Sequence, residues 1–251
     1  MGKITTIAFD VDGTLVNPRT QEIDASTKDS IQALKEAGYR LLLSTGRCQM
    51  AAKSTGVFDL CQWDGYVFNN GQVVMDKDFK IIAKKGIHPE MMQDIIDEAN
   101  QRHIALMLQS HRWHFVSERN HYVESVHDKL GTEIPKKEVY QGQEIFTFMI
   151  YGDDFSMLDK YPGLRVVKGH SPYGDVLVDG ITKATGLQKL LNKDDSLLSF
   201  GDSGNDIEML ELSKIGVAMI DSPLALQKVA THLSQTEEDE IATMINRLQL
   251  L

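Results

Sequence analysis

The run Ile4-Thr5-Thr6-Ile7-Ala8-Phe9, followed at once by Asp10-Val11-Asp12-Gly13-Thr14, constrains this chain more than any other stretch. An apolar run of strand length that ends in two carboxylates and a glycine turn reads as a buried strand delivering acidic groups to one end of a sheet. Chemically, one carboxylate can attack phosphorus while the other handles protons, with a cation bridging them.

Partners for that chemistry follow in three later places. Leu41-Leu42-Leu43-Ser44-Thr45-Gly46-Arg47 is a second apolar strand whose closing turn can offer Thr45 Oγ1 and backbone N–H groups to an anion. Lys183 follows Ile181 and Thr182 and opens the helical pattern of Leu187, Leu190 and Leu191, where its ammonium and the helix N-terminus both favour negative charge. Ser196 to Phe200 runs as another buried strand into Gly201-Asp202-Ser203-Gly204-Asn205-Asp206 and then a helix through Ile207, Met209 and Leu210. Asp-x-Asp-Gly alone also occurs in calcium loops. Here, however, Leu15-Val16-Asn17-Pro18-Arg19 brings none of the further ligands of an EF-hand.

In order and spacing, DVDGTLV, STGR, the lysine of ITKATG, and GDSGNDIEML resemble the four motifs of the haloacid dehalogenase superfamily of phosphatases. The likeness is greatest to the Cof-type sugar phosphatases, which carry a large cap between the second and third motifs. The resemblance implies that Asp10 is the nucleophile and becomes an aspartyl phosphate, while Asp12 protonates the departing alcohol and later takes a proton from water. It implies magnesium held by Asp10, the backbone carbonyl of Asp12, and Asp202. Lys183, Thr45, the N–H groups around Val11 and Gly46, and the Asn205 amide would bind the phosphate oxygens, with Asp206 orienting Lys183. Arg47 would reach the substrate or cap, or form a structural ion pair.

Three positions depart from that family's pattern. Ala184 follows the motif lysine where glycine is common, Ile220-Asp221-Ser222 stands where Gly-Asn-Ala is usual, and Glu240 occupies a frequent glycine position. The carboxylate of Asp221 would alter the rim of the site.

The chain of 251 residues is long enough for one large α/β domain or two domains, and its net charge of −10 argues against nucleic acid or an anionic membrane surface as partner. Cys48 and Cys61 are too few for a disulfide framework and too far apart for Cys-x-x-Cys, and neither reads as catalytic. No apolar run has the length of a bilayer span and no signal-peptide pattern opens the chain, so a cytoplasmic protein is expected.

Apolar strands alternate with helical patterns at both ends of the sequence. Asp24 to Gly38 reads as a helix with Ser26 or Thr27 as its cap, feeding the strand Arg40 to Ser44. Tyr66 to Phe68 and Gln72 to Val74, around Asn69-Asn70-Gly71, give a hairpin signal. The pattern then changes. Helices Pro89 to Gln101 and His121 to Leu130 are interleaved with strands Ile104 to Leu108, Trp113 to Ser117, Phe146 to Tyr151 and Leu164 to Val167. The alternation resumes with Lys183 to Leu191, Leu197 to Phe200, Asp206 to Leu212 and Val217 to Ile220, ending in a helix from Glu237 to Leu250.

The expected architecture is therefore a doubly wound parallel-sheet α/β core, residues 1–83 and 179–251, interrupted by an α+β cap over residues 84–178. His111, Arg112, Trp113 and His114 in the insertion read as an edge strand with solvated side chains rather than a metal site, since His111 and His114 would face opposite ways. The expected activity is magnesium-dependent hydrolysis of small phosphate monoesters, sugar phosphates or similar metabolites. A phosphomutase-like phosphotransferase, or a phosphometabolite-binding regulator that has lost turnover, stands as the alternative.

Overall fold

The computed structural model describes residues 3–168, 172–234 and 240–251. Two compact units are formed: Met1–Arg47 with Ala52–Ala83 and Thr182–Leu251, and Lys84–Ile181 with Cys48–Ala51.

In the first unit, β1 (Thr6–Phe9), β2 (Arg40–Ser44), β3 (Gly65–Phe68), β4 (Val73–Asp76), β5 (Ile81–Lys84), β11 (Leu197–Gly201), β12 (Ile215–Ala218) and β13 (His232–Leu233) make one sheet. Its order is β13-β12-β11-β1-β2-β3-β4-β5. The pairs from β13 across to β3 are parallel, and β4 turns back antiparallel on β3 through the Asn69-Asn70-Gly71 hairpin. β1 shows no polar alternation because both of its faces are covered; Ile7, Ala8 and Phe9 are completely buried. Phe9 stands opposite Phe200 in register, and their rings stack at 5.0 Å.

Chain order reverses between β1 and β11, so this pair forms the topological switch point, where the crevice beyond the strand ends receives ligands in doubly wound folds. Helices α1 (Ala25–Glu36) and α8 (Glu240–Arg247) pack together. A separate apolar cluster joins the sheet residues Ala8, Leu42, Val67 and Ala218 to Leu187 of α5 (Lys183–Leu187) and to Met209 and Leu210 of α6 (Ile207–Leu212).

The second unit has its own five-stranded sheet, ordered β7-β6-β8-β10-β9. Its strands are β6 (Leu106–Gln109), β7 (His114–Val116), β8 (Thr147–Tyr151), β9 (Leu164–Lys168) and β10 (Tyr173–Val178), and every pairing is antiparallel. Strand periodicity divides its side chains between two cores. Leu106, Leu108, Phe148, Ile150 and Val176 meet Met92, Ile95, Ile96 and Ala99 of α3 (Pro89–Gln101). Met107, Met149 and Tyr151 meet Val123 and Val126 of α4 (His121–Leu130). Asn120 starts α4 by accepting hydrogen bonds from the backbone N–H groups of Tyr122 and Val123 at 3.1 Å each. Cys48–Ala51 joins this unit because the N–H groups of Gln49 and Met50 donate to the carbonyls of His111 and Arg112 at 3.0 Å.

Several local expectations are corrected. Helix α1 begins at Ala25, which places Ser26 and Thr27 inside its first turn; Asp24 holds the N-cap position, with no side-chain capping bond. β10 escapes a pattern reading because Gly174-Asp175 breaks its apolar run. The glycine is needed there, since a Cβ would stand 2.6 Å from Val166 Cγ1. The short elements β5, β13 and α7 (Leu224–Val229) carry too few residues for a periodic signal. The cluster from His111 to His114 is not a solvated edge strand throughout: β7 starts only at His114, whose Nδ1 lies 3.5 Å from Cys48 Sγ, while His111 meets Phe146 edge-on and Trp113 packs on Phe115. Of the helix expected from Glu237 to Leu250, positions 237–239 lie outside the described residues; α8 runs Glu240–Arg247. No described helix is long and apolar enough to cross a membrane.

Candidate active site

Pairing of β1 with β11 continues one residue past the strand end. The Asp10 N–H donates to the Phe200 carbonyl at 3.1 Å, which sets Asp10 beside the turn that leaves β11. Lys183 arrives from the other side at the first position of α5. Thr182 and Thr185 form a capping box there, with each side chain accepting the other's backbone N–H, and this fixes the helix start.

The third and fourth motifs converge on Asp10. Lys183 Nζ donates to Asp10 Oδ1 at 2.5 Å and to Asp206 Oδ1 at 2.7 Å, and Lys183 is only 1% exposed. Asp206 is fully buried; its Oδ2 accepts the N–H groups of Asp202 and Ser203 at 3.1 Å each, so it folds the turn that carries Asp202.

Carboxylate oxygens of Asp10, Asp202 and Asp206 lie within 4.8 Å of one another, a set of hard donors suited to a divalent cation. With all three ionised, the carboxylates would outnumber the one ammonium by two charges, which a bound divalent cation would balance. Both Asp206 oxygens already accept hydrogen bonds, so Asp10 and Asp202 are the better ligands. Gly13 makes their approach possible: its φ is +73°, and a Cβ would fall 2.2 Å from Asp202 Oδ2.

Burial pushes the Asp10 carboxyl up to about 7; Lys183 opposes the rise, while Asp206 and Asp12 add to it. Burial also holds the Asp202 carboxyl well above the ordinary range, with the charges of Asp10 and Asp206 reinforcing it. For Lys183 burial acts downward, but the charges of Asp10 and Asp206 outweigh it and raise the ammonium above its usual range.

Around the second motif, Thr45 donates its N–H to the Val67 carbonyl at 2.8 Å, and its Oγ1 accepts the Arg47 N–H at 3.1 Å. Arg47 is drawn to Asp12, where Nη2 lies 2.6 Å from Oδ1. Asn70 is a site-building residue that sequence reasoning read only as part of a hairpin. Its Oδ1 accepts from Asn205 Nδ2 at 2.9 Å, and a Cβ on Gly46 would lie 3.0 Å from its Nδ2, so one amide ties the second motif to the fourth. Asn69 and Asn70 take φ values of 50° and 54°, a conformation asparagine tolerates well, so in the sequence the pair signals a turn and nothing more.

A family model described as haloacid dehalogenase-like hydrolase matches residues 7–245. The chain belongs to this hydrolase family, as its four motifs lead one to expect. It is 26% identical to YkrA of Bacillus subtilis, provisionally named a phosphatase, over 98% of both chains. It is 25% identical to YcsE of the same organism, a 5-amino-6-(5-phospho-D-ribitylamino)uracil phosphatase, over 96% of this chain and 94% of that one. Among solved structures, a phosphatase of the same superfamily from Bacteroides thetaiotaomicron superposes with a TM-score of 0.85 at 25% identity, covering 99% of this chain and 96% of the other.

Proposed function

We propose that this hydrolase removes phosphate from small soluble phosphate monoesters, sugar phosphates or related metabolites, through an aspartyl phosphate on Asp10. The observation that carries the reading is the buried bridge of Lys183 between Asp10 and Asp206, beside Asp202. A structural ion pair needs one partner of each sign, whereas this cluster gathers excess carboxylate at the switch point of the sheet, where a phosphate and a cation can be received.

Asp10 attacks phosphorus in line with the leaving alcohol; as the new P–O bond forms, the ester P–O bond breaks and Asp12 gives its proton to the alcohol oxygen. A water then attacks the phosphorus of the aspartyl phosphate, Asp12 takes a proton from it, and cleavage of the bond to Asp10 releases inorganic phosphate. Lys183, Thr45, the Asn205 amide and the N–H groups around Val11 and Gly46 bind the phosphoryl oxygens, over which charge spreads in the transition state. Asp206 acts through Lys183 by holding its ammonium on Asp10. A magnesium ion held by Asp10, the Asp12 carbonyl and Asp202 supplies charge neutralisation between nucleophile and phosphate when bound.

Residues 84–178 are read as a substrate-selecting cap and residues 1–83 with 179–251 as the catalytic core. The full-length likeness to YcsE, whose named substrate is a phosphorylated sugar-alcohol derivative, favours polyhydroxylated phosphate esters. The acidic net charge of −10 fits a small metabolite, not nucleic acid or membrane, and a cytoplasmic location suits such a substrate. Phosphate release from a panel of phosphorylated metabolites, with magnesium and with excess chelator, tests the reading. Turnover is expected for sugar phosphates only with magnesium. Undiminished turnover in chelator, or no release from any ester, would overturn it.

A further inference from the structure

Two turns of the first unit are laced together by their backbones. The Asn69 N–H donates to the Arg47 carbonyl and the Asn70 N–H to the Thr45 carbonyl, each at 3.1 Å, so the turn after β3 is held against the turn after β2. Asn70 sits there at φ 54° and ψ 33°, a left-handed backbone that glycine would take at no steric cost. Its side chain is nevertheless an amide, and the residue is only 6% exposed.

Neighbours set which way that amide points. Ser203 Oγ donates to Asn205 Oδ1 at 2.9 Å, which turns Asn205 Nδ2 towards Asn70, whose Oδ1 accepts it at 2.9 Å. Asn70 Nδ2 is thereby turned the other way, towards Gly46, where a Cβ would stand 3.0 Å from it. Among the described residues this nitrogen has no acceptor, yet it is not sealed from solvent. The Gly46 N–H beside it has no acceptor either. Two neighbouring donors with nothing to donate to, one of them on a side chain more than nine-tenths buried, call for an acceptor that reaches both, and an anion's oxygen is suited to that place.

Resting on the phosphatase reading above, we propose that Asn70 is a further phosphate ligand. Its Nδ2–H donates to a phosphoryl oxygen between the Gly46 N–H and the Asn205 amide, while its Oδ1 aims that Asn205 amide. One side chain thus binds the anion directly and positions a second group that does so, and hydrogen bonds to a charged acceptor are the stronger kind. Asn70 lies outside all four sequence motifs because it comes from the hairpin that joins β3 to β4.

Calorimetric titration of the full-length protein with orthovanadate and magnesium tests the proposal, since vanadate adopts the five-coordinate geometry of a phosphoryl group in transfer. Asn70→Gly keeps the left-handed backbone and removes the amide; Asn205→Ala removes the group that Asn70 aims. Each is expected to bind vanadate about tenfold more weakly than the wild type, and the double variant about tenfold more weakly again than Asn205→Ala. A double variant that binds as Asn205→Ala does would show that Asn70 acts only through Asn205, overturning the direct contact while leaving the phosphatase reading in place. A wild-type protein that binds no vanadate and hydrolyses no phosphate ester would overturn both. Should Asn70→Gly fail to fold, Asn70→Asp carries the test, because aspartate tolerates the same backbone and keeps an acceptor for Asn205 but offers no donor. A loss of at least about tenfold in that variant would support the contact, and wild-type affinity would overturn it.

Discussion

The guanidinium of Arg47 holds both oxygens of the Asp12 carboxylate, with Nε 2.8 Å from Oδ2 and Nη2 2.6 Å from Oδ1. Such a two-point grip fixes the orientation of a carboxylate as well as its place. It belongs to the first unit and links the turn after β1 to the turn after β2. In the role proposed for it, Asp12 must leave this grip and take up a proton from solvent before it can give one to a leaving alcohol, so Arg47 would set both where Asp12 waits and how readily it moves.

If Arg47 positions the proton carrier, the loss on Arg47→Ala depends on the leaving group. An alkyl phosphate, which needs protonation, is expected to lose about 10–100-fold in kcat/KM, and an activated aryl phosphate clearly less. Arg47→Lys keeps the charge but not the fork and is expected to fall between wild type and Ala. Equal losses on both esters would assign Arg47 to phosphate binding instead.

Asp206 is expected to act through Lys183 and the turn at Asp202, without touching substrate. Asp206→Ala leaves the buried Lys183 ammonium on Asp10 alone and removes the acceptor for two backbone N–H groups, so unfolding in urea is expected to show a loss of about 2–4 kcal/mol. Asp206→Asn retains a carbonyl acceptor and should recover part of that loss. An Ala variant as stable as the wild type, within about 0.5 kcal/mol, would contradict the role.

Asp10, Thr45 and Asp202 were legible because each lies where an apolar strand of the first unit stops, and a strand end is a fixed place in a doubly wound sheet. Lys183 was legible instead at the head of a helical pattern, and its meeting with Asp10 and Asp206 comes from the fold. Asn70 was not legible: it looks like any turn residue until β3 is paired with β4 and its amide meets Asn205. β10 was hidden for a related reason, since Gly174 and Asp175 suit a sheet interior only once Val166 is known to lie against the glycine.

Asp175 also gives a pH signature in the second unit. In β10 it stands opposite Met149 and Val167, with Tyr151 and Tyr173 near, and burial pushes its carboxyl up to about 6. The folded state therefore binds this proton more tightly than the unfolded chain does, and Asp175 costs stability above pH 6, a cost removed as pH falls from about 6 towards 4. Asp175→Asn is expected to raise stability at pH 7.5 by about 1–3 kcal/mol and to match the wild type near pH 4, measured by denaturant unfolding. A difference constant across that range would show that the carboxyl does not titrate differently on folding.

The most direct measurement is rapid quenching of turnover with an activated phosphate ester, followed by mass spectrometry to locate phosphate on the chain. Asp12→Asn keeps the proposed nucleophile but removes the proposed base for the second-step water, so phosphate is expected to accumulate on Asp10. Asp10→Asn is expected to carry none and to turn over at background. Phosphate on another residue, or wild-type rates with asparagine at position 10, would contradict the account.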